Sequence, residues 1–159
     1  MVELIHGSLP KNAGIVRIHV AGDFFNQDYL HAWYIVALRN PRTLFYAYTK
    51  SLRFWVGDMT ESPDLWNFVL TASYGGRDDH MIDEFNLRSA KVVFSEAEAA
   101  ELGLEIDHDD SHAAKPTIRD DSFALLVHGT QPKGSAASVA LKELKGQGSY
   151  SRRKKKMIA

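Results

Sequence analysis

The segment Asp107-His108-Asp109-Asp110-Ser111-His112 places two imidazoles and three carboxylates within six consecutive residues, the densest ionisable stretch of the chain. Nitrogen and oxygen ligands of this kind suit a divalent metal, which makes His108, Asp109, Asp110 and His112 candidate ligands. The His-x-x-x-His spacing brings both rings to one side only on a helix, and the composition here does not favour a helix interior. Contact with another ligand and a plain solvated acidic loop therefore stay open beside the metal.

Four further knots offer other chemistry. His128-Gly129-Thr130-Gln131-Pro132-Lys133-Gly134-Ser135 holds a candidate general base, His128, and a cation, Lys133, ahead of a helix start whose amides favour an anion. A capped loop is the alternative. Ser73-Tyr74-Gly75-Gly76-Arg77 pairs exposed glycine amides with a guanidinium able to grip a carboxylate or phosphate through two bonds, or it is a turn with a salt bridge. Lys50, in Tyr48-Thr49-Lys50-Ser51, suits an anion but lacks the glycine-rich loop of a nucleotide cradle, and a surface lysine is equally consistent. Gly22-Asp23 could accept from a ligand amine or hydroxyl or bind a cation; alternatively Asp23 or Asn26 caps the next helix. Candidate catalytic groups are thus Asp23, Lys50, His128 and Lys133. Gly22, Asp23, Lys50, Ser73, Arg77, His128 and Lys133 are candidate ligand contacts. No Gly-x-Ser-x-Gly elbow, GxGxxG or zinc-protease helix is present.

These knots follow apolar, strand-like runs at 15–20, 44–48, 68–72, 92–94 and 123–127, whose starts lie 24 to 31 residues apart. That spacing is a strand plus a helix, which predicts an α/β fold of about five mainly parallel strands, an open sheet or partial barrel with helices outside. In such folds ligands sit at the strands' carboxyl ends, so Asp23, Lys50, Ser73, Glu96 and His128 are expected near one rim. Ser95-Glu96-Ala97-Glu98 itself reads as a capping box.

Strands are expected at 15–21, 43–49, 66–72, 90–94 and 123–127. Asn26 should cap a helix over 27–39, whose Leu30, Trp33, Tyr34, Ala37 and Leu38 form one apolar stripe. Shorter helices are expected at 78–85, 95–102 and 135–144. Residues 51–64 read as a loop or a short turn of helix, and residues 105–121 as a long loop. The organisation expected is an N-terminal arm over 1–14, one domain over 15–146 and a flexible basic tail over 147–159. An open edge strand invites pairing, so a homo-oligomer is expected.

The absence of cysteine excludes disulfides and an iron–sulfur cluster ligated by this chain. No apolar run approaches the roughly 20 residues of a membrane span, and no basic-then-apolar leader opens the sequence, so a cytoplasmic protein without membrane contact is expected. Net charge is −1, but Arg152, Arg153, Lys154, Lys155 and Lys156 concentrate positive charge at one end. The remainder has 14 Lys and Arg against 20 Asp and Glu. Such a tail could make weak nucleic-acid contact, touch the acidic body of a sister subunit, or simply be a solvated end.

Four blocks carry a family likeness: Arg17-Ile18-His19-Val20-Ala21-Gly22-Asp23-Phe24-Phe25, Phe45-Tyr46-Ala47-Tyr48-Thr49-Lys50-Ser51, Ile106-Asp107-His108-Asp109-Asp110-Ser111-His112-Ala113, and Ala124-Leu125-Leu126-Val127-His128-Gly129-Thr130-Gln131-Pro132-Lys133-Gly134. Together they resemble the phage gene product eighty-eight family, which has no established activity. The resemblance spans about residues 15–150. It implies a phage protein acting in the host cytoplasm; the rim residues lead us to expect an anionic small-ligand or nucleotide site, and a non-enzymatic accessory factor that binds a protein partner or nucleic acid is the alternative. Longer members carry a cysteine-rich N-terminal part that this chain lacks. The strand-ending Gly22-Asp23 is also loosely similar to the cofactor-amine contact of radical-SAM partial barrels, a likeness of fold alone.

Overall fold

The structure, a computed structural model, describes residues 1–59, 64–115, 118 and 121–150. It is an α/β half-barrel, one curled sheet of six parallel strands in the order β1-β2-β3-β4-β6-β5. The strands are β1 (Ile15–Arg17), β2 (Leu44–Thr49), β3 (Phe68–Ser73), β4 (Ser89–Val93), β5 (Glu105–Asp107) and β6 (Phe123–Leu126). The helices are α1 (Val2–Ser8), α2 (Gln27–Arg39), α3 (Leu52–Met59), α4 (His80–Glu84), α5 (Glu96–Glu101), α6 (Ser111–Ala114) and α7 (Ala136–Glu143).

The two faces of the sheet are set by alternation along each strand. On β2, Phe45 and Ala47 point into the helix layer with Leu30, Trp33, Val36 and Ala37 of α2. Burying one such large apolar side chain is worth about 1.5–3 kcal/mol. A second outer cluster joins Val93, Ala124 and Leu126 to Ala99 of α5. Tyr46 and Tyr48 point the other way, onto the concave face, where Tyr48 and Tyr150 pack on Ala90, Phe123 and Leu125. The short α6 lies against β2 and β3 on that side. Residues 105–121, expected as one long loop, thus contribute a sixth strand at the sheet edge and a helical turn over its interior. Three residues of strand are too short for alternation to signal, and pairing with β6 supplies what local propensity does not.

Other differences have similar causes. Residues 1–14, expected as an arm, include α1, whose Val2 and Ile5 reach the α2 core while Arg39 grips Glu3 at 2.6 Å. α3 forms despite Gly57 because Phe54 and Trp55 are packed in the core. β1 stops at Arg17 rather than at residue 21, for Arg17 Nε turns back to donate to the His19 carbonyl, leaving Val20 91% exposed. Helix starts follow expectation: Asn26 accepts from Tyr29 N at 2.8 Å, Ser95 from Glu98 N and Ser135 from Ser138 N, each at 3.1 Å. Glu98 reaches past the cap, however, and accepts from Phe94 N. No helix among the described residues is long and apolar enough to cross a membrane.

Candidate functional site

Because all six strands are parallel, the knots that end them share one end of the sheet. Asp23, Lys50, Ser73, Glu96 and His128 therefore lie along one rim, but only some of them touch. Asp23 meets β2: its Oδ1 accepts from Phe24 N at 2.7 Å and Thr49 Oγ1 at 2.6 Å, and its Oδ2 from Lys50 N at 2.7 Å. Ser51 Oγ closes the same latch by donating to the Phe24 carbonyl. Asp23 is thus occupied in holding the β1–α2 connection to the end of β2, and the α2 cap is Asn26.

Lys50 Nζ donates to the Tyr74 carbonyl at 2.7 Å. The two glycine amides expected to face an anion do face one, the carboxylate of Asp79, at 2.8 Å each. Arg77 is exposed beside them. Across the rim, His128 Nδ1 lies 3.0 Å from the Leu126 carbonyl and its ring meets the edge of Tyr150, while Lys133 is exposed. Ser73 is half-buried at the end of β3, and Glu96 is exposed in the first turn of α5. A groove of about 310 Å³ lined by Asp64, Trp66, Phe68 and Arg88 lies at the opposite end of β3, and none of the candidate residues lines it.

The acidic segment splits its side chains among separate duties. Asp107 is buried and ties the turn together: Oδ1 accepts from Asp109 N and Ser111 N, and Oδ2 from His112 N. Asp109 is exposed, and bonding to Ser111 holds its carboxyl below the usual range. His112 is buried against Phe123, its Nε2 3.3 Å from Glu105 and its Nδ1 3.6 Å from Asp107. His108 supplies its carbonyl to Tyr150 N. Among the described residues no three His, Cys, Asp or Glu side chains gather as a metal site.

Asp110 has the fullest environment. One oxygen accepts from Arg17 Nη1 and Tyr46 Oη, both at 2.9 Å; the other accepts from Tyr48 Oη at 2.8 Å and Tyr150 Oη at 2.6 Å. The Arg17 guanidinium also lies over the Tyr48 and Tyr150 rings, 5.2 and 5.5 Å from their centroids. Strand register builds the donor set. Arg17 pairs with Tyr46, and Tyr48 follows two residues on, on the same face. Tyr150 arrives by another route, since Ser149 bonds Leu126 N and the Asp107 carbonyl, placing the next residue over the mouth. Gly148 is needed there, because a Cβ would collide with the Val127 carbonyl. The first residues of the expected flexible tail are therefore bonded to the sheet, and residues 151–159 lie outside the described residues.

Electrostatics matches this geometry. Burial raises the hydroxyl pKa of all three tyrosines. Hydrogen bonding to Asp110 is the next cause for Tyr46 and Tyr150, and the neighbouring Tyr150 is the next cause for Tyr48. For Arg17, burial opposes the charge, but Asp110 and the three phenols more than offset it, so its pKa is raised. The site is a protonated donor cluster around one anion, still open to water: the Arg17 side chain is 32% exposed and that of Asp110 13%.

Sequence reading named Asp110 as a metal ligand and did not name Arg17, Tyr46, Tyr48 or Tyr150. A signal existed for two of them. A parallel strand buried on both faces reads as continuous apolar sequence, and two phenols at alternate positions of β2 require polar partners on one face.

No curated protein and no solved structure matches the chain. The family model for Gene product 88 matches residues 1–148 and thus nearly the whole domain, including the blocks that hold Arg17, Tyr46, Tyr48 and Asp110. The chain belongs to the Gene product 88 family of phage proteins.

Proposed function

We propose that this half-barrel binds a small anionic molecule, phosphate- or carboxylate-bearing, at the concave mouth formed by Arg17, Tyr46, Tyr48 and Tyr150. The observation that supports this most is the convergence of one guanidinium and three phenol hydroxyls on a single carboxylate, all within 2.6–2.9 Å, on the concave face of the parallel sheet. Charge-assisted bonds of this kind are the strong ones, and a guanidinium beside aromatic faces is a common anion receptor. A nucleotide fits the same chemistry, with tyrosine rings available for stacking. The rim residues Lys50, Arg77 and Lys133 add positive charge around the mouth but make no part of the donor set.

A thermal-shift screen with inorganic phosphate, nucleotides, S-adenosylmethionine and small carboxylates tests the reading. A ligand at 100 times its Kd should stabilise the fold by about 2.7 kcal/mol. Replacing Arg17 with Gln should remove that shift. A screen in which no anion stabilises the protein would favour the second reading, a phage accessory module that works by surface contact. That reading has its own support in Val20 and Phe25, 91% and 65% exposed on the connection beside the mouth. It predicts self-association or partner capture, with the basic run at 152–156 making salt-sensitive contact with nucleic acid. Light scattering at micromolar concentration tests the homo-oligomer.

A further inference from the structure

We infer that Asp110 is a built-in competitor of the ligand, its carboxylate occupying the donors until an incoming phosphate or carboxylate displaces it. The inference rests on the binding site proposed above and concerns how that site is held shut.

Three observations point to it. First, donors and acceptor belong to different bodies. Arg17, Tyr46 and Tyr48 stand on paired strands at one side of the sheet. Asp110 comes from the connection after β5, the strand at the opposite edge, and reaches them across the concave face. Withdrawal of the side chain would leave Arg17, Tyr46 and Tyr48 in place, because strand register, not the loop, positions these three.

Second, Asp110 has no local duty. It sits at the N-cap of α6 yet makes no side-chain cap bond, while Asp107 takes the amides of residues 109, 111 and 112. Its backbone adopts φ +66°, a left-handed conformation uncommon outside glycine, although Asp tolerates it better than most. The turn is thus held by Asp107 and Asp109, and the third carboxylate is spent on a remote contact.

Third, the contact has the stoichiometry of anion recognition. Each carboxylate oxygen takes two donors, an arrangement that a ligand carboxylate or two oxygens of a phosphate would reproduce. Tyr150 adds a strap: its amide holds the His108 carbonyl of the same connection at 2.9 Å, so the C-terminal segment supports the closed arrangement from both backbone and side chain. When the competent state is only a fraction of the population, apparent affinity falls by that fraction.

The test is titration with inorganic phosphate at constant ionic strength, followed by calorimetry, for the wild-type chain and Asp110→Asn. Asn keeps the size of the side chain and removes its charge. Phosphate should bind Asp110→Asn at least tenfold more tightly than wild type, and the double variant Arg17→Gln/Asp110→Asn should lose the gain. Equal binding by wild type and Asp110→Asn, abolished in both by Arg17→Gln, would overturn the competitor and leave the site standing. A folded Asp110→Asn that binds no phosphate would overturn both. Should the variant fail to fold, hydrogen exchange on the wild type decides: phosphate should speed exchange across residues 108–114 without changing β2, and an unchanged or slowed pattern there overturns the competitor.

Discussion

Asp23 and Asp110 each follow a strand's carboxyl end and each carboxylate is fully engaged, but they are engaged by different kinds of donor. Asp23 is held by two main-chain amides and a threonine hydroxyl from the adjoining strand end. Asp110 is held wholly by side chains, one guanidinium and three phenols. Main-chain donors exist only while the loop keeps its path, so the Asp23 latch cannot be lent to a ligand without dissolving the connection it makes. Three of the Asp110 donors, Arg17, Tyr46 and Tyr48, are rooted in β1 and β2, which hold them independently of the connection that carries Asp110. The same two strands, β1 and β2, are therefore tied by main-chain donors at their carboxyl ends and offer side-chain donors to Asp110 on the concave face.

The largest effect should come from Asp110→Ala, which removes the acceptor shared by Arg17 Nη1 and three tyrosine hydroxyls; chemical denaturation should show a loss of about 3 kcal/mol. Inorganic phosphate should recover part of it, whereas no anion should rescue Asp23→Ala. That variant orphans two amides and should cost about 2 kcal/mol. Rescue of both, or of neither, would erase the distinction between the two carboxylates.

Gly148→Ala sharpens the comparison from the other end of the chain. The added methyl meets the Val127 carbonyl, so residues 149–150 cannot stay docked, and the cost should be about 1–3 kcal/mol. Deleting residues 151–159 should cost less than about 0.5 kcal/mol, since the stretch has no apolar periodicity to bury. Tyr46→Phe should cost about 1 kcal/mol, the net worth of one hydrogen bond.

The smallest effects are in pH dependence. The three tyrosines have raised pKa values in the folded state, so above about pH 10 the unfolded chain loses protons that the folded chain retains. Stability is therefore present below that pH and falls as pH rises, and tyrosinate absorbance should appear together with unfolding. His19 shifts the other way, because burial lowers its pKa while Asp23 partly opposes. The unfolded chain then binds the extra proton as pH falls through about 6.5, and stability declines on the acid side. His19→Gln should flatten that acid slope and leave the alkaline one unchanged.

Much of the fold was legible because its signals are local. Asn26, Ser95 and Ser135 cap helices where a short polar side chain precedes an apolar stripe, since each bond spans only three residues. Four strands ended within a residue or two of expectation because an apolar run and its polar stop are contiguous. The full length of α3, where at most a short helical turn was expected, and β5 were illegible for the complementary reason. Gly57 weakens any helix signal, and Glu105–Asp107 is too short to alternate, so both depend on surfaces brought from elsewhere.

By itself the sequence determined the class, the strand–helix repeat and the rim on which ionisable groups would gather. All of these follow from periodicity and from the rule that parallel strands share an end. Only the tertiary structure decided what those groups do. Asp110 meets Arg17 across 93 residues, Tyr46 across 64, Tyr48 across 62 and Tyr150 across 40. An aspartate in an acidic run reads as a metal ligand or a solvated charge when its neighbours in the chain are considered. Curling of the sheet gives it different neighbours, one guanidinium and three phenols, so a residue that reads as a cation ligand is enclosed by hydrogen-bond donors instead.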